Sequence, residues 1–196
     1  MIYLYSNDLD SQDFYINQAK EKGYEVMLLD SPIISHLIQK FESKMENCSF
    51  IRVDSDTISN LIKKDEAIDS VLTEKEKEKI KPLVEGCLPK EGFSVIFESL
   101  DPSAVPFSIT QSEFMRRMKE MSAVGGGGFG MQNMPDSYNI VINSNHKLVS
   151  KILKSKGAKK KALIQRSIDI ALISQNLLKG KALTNYINQN FDDLGD

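Results

Sequence analysis

Residues 1–29 read MIYLYSNDLDSQDFYINQAKEKGYEVMLL, an apolar run, an amphipathic stretch and a second apolar run. The first run, residues 2–5, is short, β-branched and aromatic, which is typical of a buried strand. The residues from 14 to 19 predict a helix, and residues 24–29 predict a second strand. The sequence supplies start and stop signals for this helix, namely Asp10 or Ser11 as cap and Gly23 as terminator.

The same alternation continues as far as residue 64. Apolar residues at helical spacing over 34–41 predict a second helix, residues 49–53 a third strand and residues 57–64 a third helix. Strands separated by helices imply right-handed parallel crossovers. We therefore predict a small three-stranded parallel α/β sandwich at the start of the chain.

This first segment has little sign of a nucleotide or metal site. The turn at residues 6–10 contains two carboxylates and no glycine, so it would repel a phosphate rather than bind it. Asp54 and Asp56 could together bind a hard cation. A simple turn with a helix cap at Ser55 or Asp56 explains the same residues and is the favoured interpretation.

The composition of the whole chain is that of an ordinary globular protein of one or two domains. It has 196 residues, 41% hydrophobic residues and a net charge of −2. No apolar run is long enough to span a membrane, and no signal peptide follows Met1, so we expect a cytoplasmic protein. Two cysteines are too few for a disulfide framework or a four-cysteine zinc site. The charge is uneven, because residues 1–98 sum to −7 and residues 99–196 to +5.

The alternating charges of residues 73–79 predict a solvated helix between two domains. Pro82 and Gly86 follow it, so the boundary is expected near residues 80–90. We divide the chain into residues 1–84 and residues 85–196.

The second segment is predicted to be α+β. Residues 92–98 and 139–142 read as strands, and the prolines between 102 and 106 indicate an irregular passage. Thr110 and Glu113 match a capping box for a helix over residues 111–122. Another short helix is predicted over 146–153, with Asn145 as its cap.

Five of the eight methionines lie between residues 115 and 134, next to a glycine-rich stretch at 125–130. One interpretation buries the methionine side of the helix in the core, as amphipathic helices usually do. The other makes it an adaptable apolar contact surface, because methionine is common on surfaces that bind many partners. A phosphate loop is disfavoured, since neither a preceding strand nor a Gly-Lys-Ser/Thr motif is present. The predicted contact residues are Phe114, Met115, Met118, Met121, Phe129 and Met131.

The last two helices are predicted over residues 163–178 and about 182–191. The first has apolar residues on two faces, which suggests burial on both sides. Two adjacent antiparallel helices can either close their own domain or pair with a second copy as a four-helix bundle. The predicted dimer interface consists of Ile164, Ile168, Ala171, Leu172, Gln175, Leu178, Leu183, Tyr186 and Ile187. The lysines at 159–161 have no aromatic neighbours, so a solvated helix start is favoured over phosphate binding.

Catalysis has little support in the sequence. His36 and His146 lie in different segments, and neither has the neighbours of a metal site or a catalytic triad. Neither cysteine lies in a redox motif. The residues therefore favour a binding and assembly module over an enzyme.

Several motifs resemble the bacterial heat shock protein 90 (HtpG) family. The most specific is SITQSEFMRRMKEMS at residues 108–122. FIRVDSD at 50–56, NMPDSY at 133–138 and ALISQNLLKG at 171–180 are also similar. IYLY at 2–5, together with KGYEV at 22–26, looks like the end of the family's middle domain. The resemblance covers essentially the whole chain.

This resemblance implies the end of the middle domain followed by the C-terminal dimerisation domain. The domain that binds ATP and magnesium, and the catalytic arginine of the middle domain, would lie upstream, so no enzymatic activity and no cofactor are expected in this chain. The implied partners are a second copy, through helices at 160–178 and 181–194, non-native client proteins and other chaperones. No nucleic acid or membrane is expected as a partner. The alternatives are a small α/β ligand-binding or enzymatic domain with an appended dimerisation module, and nucleic-acid binding through the positive half.

Overall fold

The computed structural model describes residues 1–62, 68–89, 92–125 and 136–195. The chain divides into two compact units, each built from two segments. Unit 1 comprises residues 1–66 and 110–139, and unit 2 comprises residues 67–109 and 140–196. These units interleave along the chain, whereas the sequence suggested two consecutive blocks. The assignment of 1–84 and 85–196 to family domains remains a prediction.

Unit 1 contains the predicted parallel sheet. Its strands are β1 (Ile2–Ser6), β2 (Met27–Leu28) and β3 (Ser49–Arg52), in the order β2-β1-β3. Both pairings are parallel, with Tyr5 opposite Met27 on one side and Arg52 on the other. The prediction of three strands in a parallel sheet is confirmed. The second strand is shorter than predicted, because only two of its residues pair with β1 at the edge of the sheet.

Three helices follow the strands of unit 1: α1 (Asp13–Glu21), α2 (Ile34–Lys44) and α3 (Ile58–Leu61). Successive residues of a strand point to opposite faces. Leu4 accordingly packs with α1 and α3, while Tyr5 packs with Ile34 and Ile38 of α2. Helix α1 begins after Gln12, not after Asp10 or Ser11, and no side chain caps it.

Most residues of a second sheet of three strands belong to unit 2, and these strands are β4 (Phe93–Glu98), β5 (Phe107–Gln111) and β6 (Tyr138–Asn143). Their order is β4-β6-β5, so β6 is central. The helices of unit 2 are α4 (Glu74–Glu85), α6 (Lys147–Lys154), α7 (Gly157–Ser174) and α8 (Gly180–Gly195). Between β5 and β6 in sequence, α5 (Glu113–Gly125) belongs to unit 1. The α/β and α+β character is as predicted.

Helix α4 is not a solvated connector. Its Ile80 and Val84 are fully buried, and the helix packs against β4 and α7 within unit 2. Most of its alternating charged residues are exposed, whereas Glu76 and Lys77 are half-buried, and Pro82 lies inside the helix instead of ending it. Its start is fixed by a capping box between Thr73 and Glu76.

Other predicted caps were also wrong, since Thr57, not Ser55 or Asp56, is the N-cap of α3. Thr110 is a buried residue of β5, so it cannot be the N-cap of α5, which begins at Glu113. Residues 107–111, for which no strand was predicted, form β5 directly after Pro106. His146, not Asn145, caps α6, and its Nδ1 accepts a hydrogen bond from the Leu148 backbone N–H at 3.0 Å.

Candidate functional site

Helix α5 packs against the rest of unit 1 through its charged face. Arg116 lies at the centre of this contact and is only 5% exposed. Its guanidinium donates hydrogen bonds to the Tyr5 hydroxyl and to the Glu113 carboxylate, both at 2.6 Å. It also pairs with Glu120, one turn along the same helix. A cation that deep in a protein is tolerated because carboxylates and a hydroxyl replace its water.

Arg117 extends the contact to the neighbouring helix and strand. It donates to Glu42 of α2 at 2.7 Å, to Glu113 at 2.6 Å and to the backbone carbonyl of Phe50 in β3. From α2, Ser35 donates to Glu120. The charged side of α5 is thus bonded to helix α2, to the central strand β1 and to the edge strand β3.

A second buried pair lies beside this network. Arg52 of β3 binds both carboxylate oxygens of Asp54, at 2.6 and 2.9 Å, and donates to Gln111 at 3.1 Å. Gln12 donates to the same carboxylate at 3.2 Å. The charge of Asp54 is therefore balanced by that of Arg52. Asp56 accepts a hydrogen bond from the Thr57 backbone N–H. Across the described ranges, no three His, Cys, Asp or Glu side chains come together as a metal site.

The ionisation of this cluster follows from burial and charge. Burial opposes ionisation of Glu113, but Arg116 and Arg117 outweigh it and hold its pKa below the ordinary value. Burial, followed by the nearby Glu113 carboxylate, raises the pKa of Tyr5 to about 12. The Glu113 carboxylate and the guanidinium groups of Arg116 and Arg117 are consequently charged at neutral pH, and Tyr5 is a neutral phenol.

The apolar residues of α5 are more exposed than its central arginine. Phe114 is 69% exposed, and Met115, Met118 and Met121 are half-buried. The structure therefore fits neither a methionine face buried in the core nor a fully exposed one. Phe129 and Met131 lie outside the described residues. Their role in client contact, like that of the four helix residues, remains a prediction.

The predicted dimer residues fall into two groups. Ile164, Ile168, Ala171, Leu172 and Leu178 are buried within unit 2, and Gln175 is half-buried. These side chains pack within the chain's own unit, and their place in a dimer interface stays a prediction. The other face of α7 is the open one, with Ile170 and Ile173 exposed.

Helix α8 differs from α7 in having no buried residue between 180 and 195. Leu183 and Tyr186 are half-buried, and Ile187 is exposed. Phe191 and Leu194, which the predicted interface did not include, are 68% and 83% exposed. Only one side of α8 therefore touches its own unit, where Arg166 of α7 pairs with Asp193.

Within the described part of the chain, His146 and the two cysteines take no part in the hydrogen bonds and ion pairs of this cluster. His146 is the cap of α6, and burial followed by the charge of Lys147 lowers its pKa. Cys48 and Cys87 are free thiols in different units.

None of the helices within the described ranges is both long and apolar enough to cross a membrane.

The partners of Arg116 and Arg117 on unit 1 were missed by sequence reasoning. The spacing of Glu113, Arg116, Arg117 and Glu120 is visible in the sequence as i,i+3 and i,i+4 pairs. Such pairs usually indicate a solvated face, and nothing local connects them to Tyr5 or Glu42, over 70 positions away.

Comparison with known proteins gives a consistent set of relatives. The chain is 42% identical over 156 residues to the chaperone protein HtpG of Porphyromonas gingivalis strain ATCC 33277, covering 78% of this chain and 23% of that protein. It is 31% identical over an alignment of 260 residues to that of Bacteroides fragilis strain 638R, covering 98% of this chain and 38% of that protein. The HtpG of Bacteroides thetaiotaomicron is 41% identical over 156 residues. No protein-family model matches the chain.

The chain spans only 23–38% of the length of these relatives, although they cover most or nearly all of its own residues. The resemblance seen in its motifs thus extends along the chain at substantial identity. The chain belongs to the HtpG family of chaperone proteins.

Proposed function

We propose that this chain is the C-terminal part of an HtpG-type chaperone and holds two copies of the protein together. The observation that carries the proposal is helix α8, a helix of 16 residues with none of them buried. A helix of that length is marginal in water without packing on one face. Ile187 and Phe191 are exposed on α8, and Ile170 and Ile173 on the preceding helix. The same helices of a second copy would cover these residues in a four-helix bundle.

Light scattering after gel filtration tests the dimer. We expect the mass of two chains at roughly tens of micromolar protein. The double variant Ile187→Glu, Phe191→Glu should be monomeric, because charges are depleted at the core of such interfaces. Ile33→Glu, at an exposed isoleucine immediately before α2 in unit 1, is the matched control and should remain dimeric. A monomeric parent protein at these concentrations would contradict the proposal.

We further propose that the apolar side of α5 contacts non-native client proteins. Phe114 is exposed although it is a large aromatic residue, and three half-buried methionines lie on the same helix. Methionine side chains adapt to many shapes, which suits a surface that receives unrelated sequences. The charged face already anchors the helix to unit 1, so its apolar residues are not needed to hold it in place.

This proposal is tested by measuring how well the chain suppresses the aggregation of an unfolded test protein. The double variant Phe114→Ser, Met118→Ser should suppress aggregation less well while changing the free energy of unfolding by only about 1 kcal/mol. Phe41→Ser, at an exposed phenylalanine of α2, is the control and should retain suppression. A stability loss of several kcal/mol, as in core truncation, would instead make the two residues part of the core.

We expect ATP and magnesium to bind parts of HtpG that lie outside this chain. We propose that the chain is cytoplasmic and that its partners are non-native proteins and other chaperones. Calorimetric titration of the chain with ATP should therefore give no binding heat. A saturable heat would favour the alternative, a ligand-binding or enzymatic α/β domain.

A further inference from the structure

Seven lysines between residues 147 and 161 form a strongly positive surface on unit 2, here called the lysine patch. The segment contains no acidic and no aromatic residue. Six of the seven are exposed and Lys160 is half-buried. In the part of the chain that the structure describes, none of them has a carboxylate within 4.0 Å.

The burial of one side of helix α6 determines that the lysine patch faces solvent. Val149 and Ile152 of α6 are fully buried, so the opposite side of the helix faces solvent. That side carries Lys147, Lys151 and Lys154, at spacings of four and three residues that align along one face. At 1.5 Å per residue these three lysines extend over about 10 Å. The remaining lysines lie in the turn after α6 and in the first turns of α7.

The arrangement costs stability in the isolated chain. Lys151 and Lys154 are at the C-terminal end of α6, where the helix dipole favours cations. The opposite holds for α7, whose first turn carries lysine and no acidic residue and whose N-cap, Lys156, makes no side-chain hydrogen bond. Positive charge at a helix N-terminus is unfavourable, and so are the like charges of Lys147 and Lys151 one turn apart. An unfavourable arrangement of charges that the rest of the chain does not offset is typical of a functional surface.

We propose that the lysine patch is a docking surface for an acidic, extended segment of another polypeptide. Its charge is complementary to such a segment, and it is supplied by lysines, which act as point charges without the planar recognition that arginine gives to phosphates. A strand-like peptide advances about 3.3 Å per residue, so three or four residues span the row on α6.

A long nucleic acid fits this surface less well. Binding of single strands generally uses aromatic side chains on which bases stack, and the segment has none. A duplex would also extend beyond the patch. Outside the patch, unit 2 carries 8 basic and 12 acidic residues, a net charge of −4 that would repel the additional phosphates. A short acidic peptide avoids that repulsion because it contacts the patch alone.

Fluorescence anisotropy with a labelled peptide of alternating Glu and Ser tests the proposal at near-physiological salt. We expect saturable binding by the 196-residue chain that weakens as salt is added, and no binding of the same peptide with Gln in place of Glu. Replacing Lys147, Lys151 and Lys159 by Gln should raise Kd by about 10-fold, as the loss of three exposed charge pairs would.

The matched control removes three exposed lysines from α4 of the same unit, Lys75→Gln, Lys79→Gln and Lys81→Gln. It should change Kd by less than about 2-fold. Absence of peptide binding by the parent chain, or an equal loss in both variants, would overturn the proposal. Tighter binding of a short DNA duplex than of the peptide would also overturn it and assign the patch to nucleic acid.

Discussion

The guanidinium of Arg116 donates a hydrogen bond of 2.6 Å to the hydroxyl of Tyr5, a residue 111 positions earlier in the chain. The same cation lies 5.8 Å from the centre of the Tyr5 ring. Helix α5 is thereby tied to the central strand of the parallel sheet by its most polar side. The side of the helix that a sequence pattern assigns to solvent carries Arg116, which is buried.

Replacing Arg116 by Met should lower the free energy of unfolding by about 3–5 kcal/mol. The loss is large because Glu113 and Glu120 would remain partly buried without their main cation. Urea unfolding followed by circular dichroism measures it. Lys119→Met, which removes an exposed pair with Asp136, is the control and should cost no more than about 1 kcal/mol. Similar losses in the two variants would contradict the central position of Arg116.

Stability should fall at alkaline pH through Tyr5. Burial, followed by the charge of Glu113, raises its pKa from 10.0 to about 12 in the folded chain. Folding therefore favours the protonated phenol, a contribution that is complete below pH 10 and is lost as the pH rises through about 12. We expect the stability difference between the parent chain and Tyr5→Phe to fall by roughly 2–3 kcal/mol over this interval. Phenylalanine keeps the ring and does not titrate, so other groups cancel in the comparison. A constant difference would contradict the prediction.

His146 should make the stability of unit 2 sensitive to mild acid. Burial, followed by the charge of Lys147, lowers its pKa below 6.5, and its unprotonated Nδ1 accepts the Leu148 N–H. Folding therefore favours the neutral ring. This contribution is complete above pH 6.5 and is lost as the pH falls through the folded-state pKa. His146→Asn keeps a capping side chain that does not titrate. The stability difference between the two proteins should thus shift in favour of the variant by up to about 1 kcal/mol between pH 7.5 and pH 5, as measured by thermal unfolding.

The two faces of α7 should respond differently to truncation. Leu172 is 4% exposed, so Leu172→Ala should cost about 2–5 kcal/mol of unfolding free energy. Ile170 is 56% exposed, so Ile170→Ala should lower the unfolding free energy of the isolated unit much less than Leu172→Ala does. Light scattering gives a second measurement. The Ile170→Ala variant should form less of the proposed dimer than the parent chain does. Equal stability losses would show that both faces are buried.

Helix periodicity and strand composition identified the parallel sheet of unit 1 because they are local signals. A strand such as Ile2–Ser6 is recognised by its own residues, and the intervening helices restrict the connections to a parallel topology. Strand β5 was missed because Pro102 and Pro106 dominate the local pattern before it. The central position of β6 was likewise absent from the pattern, because strand order depends on long-range pairing.

Local residue patterns are enough to predict the alternation of strands and helices, the amphipathic character of α5 and α7, and a family resemblance that the relatives confirm. Which face of each helix is buried depends on contacts that form only in the folded chain. Amphipathicity records that a helix has two different sides, and the usual inference buries the apolar one. That inference holds for Ile168 and Leu172 in α7. It fails in α5, because Tyr5, Glu42, Glu113 and Glu120 together replace the hydration of Arg116 and Arg117, and residues so far apart in sequence are brought together only by the fold.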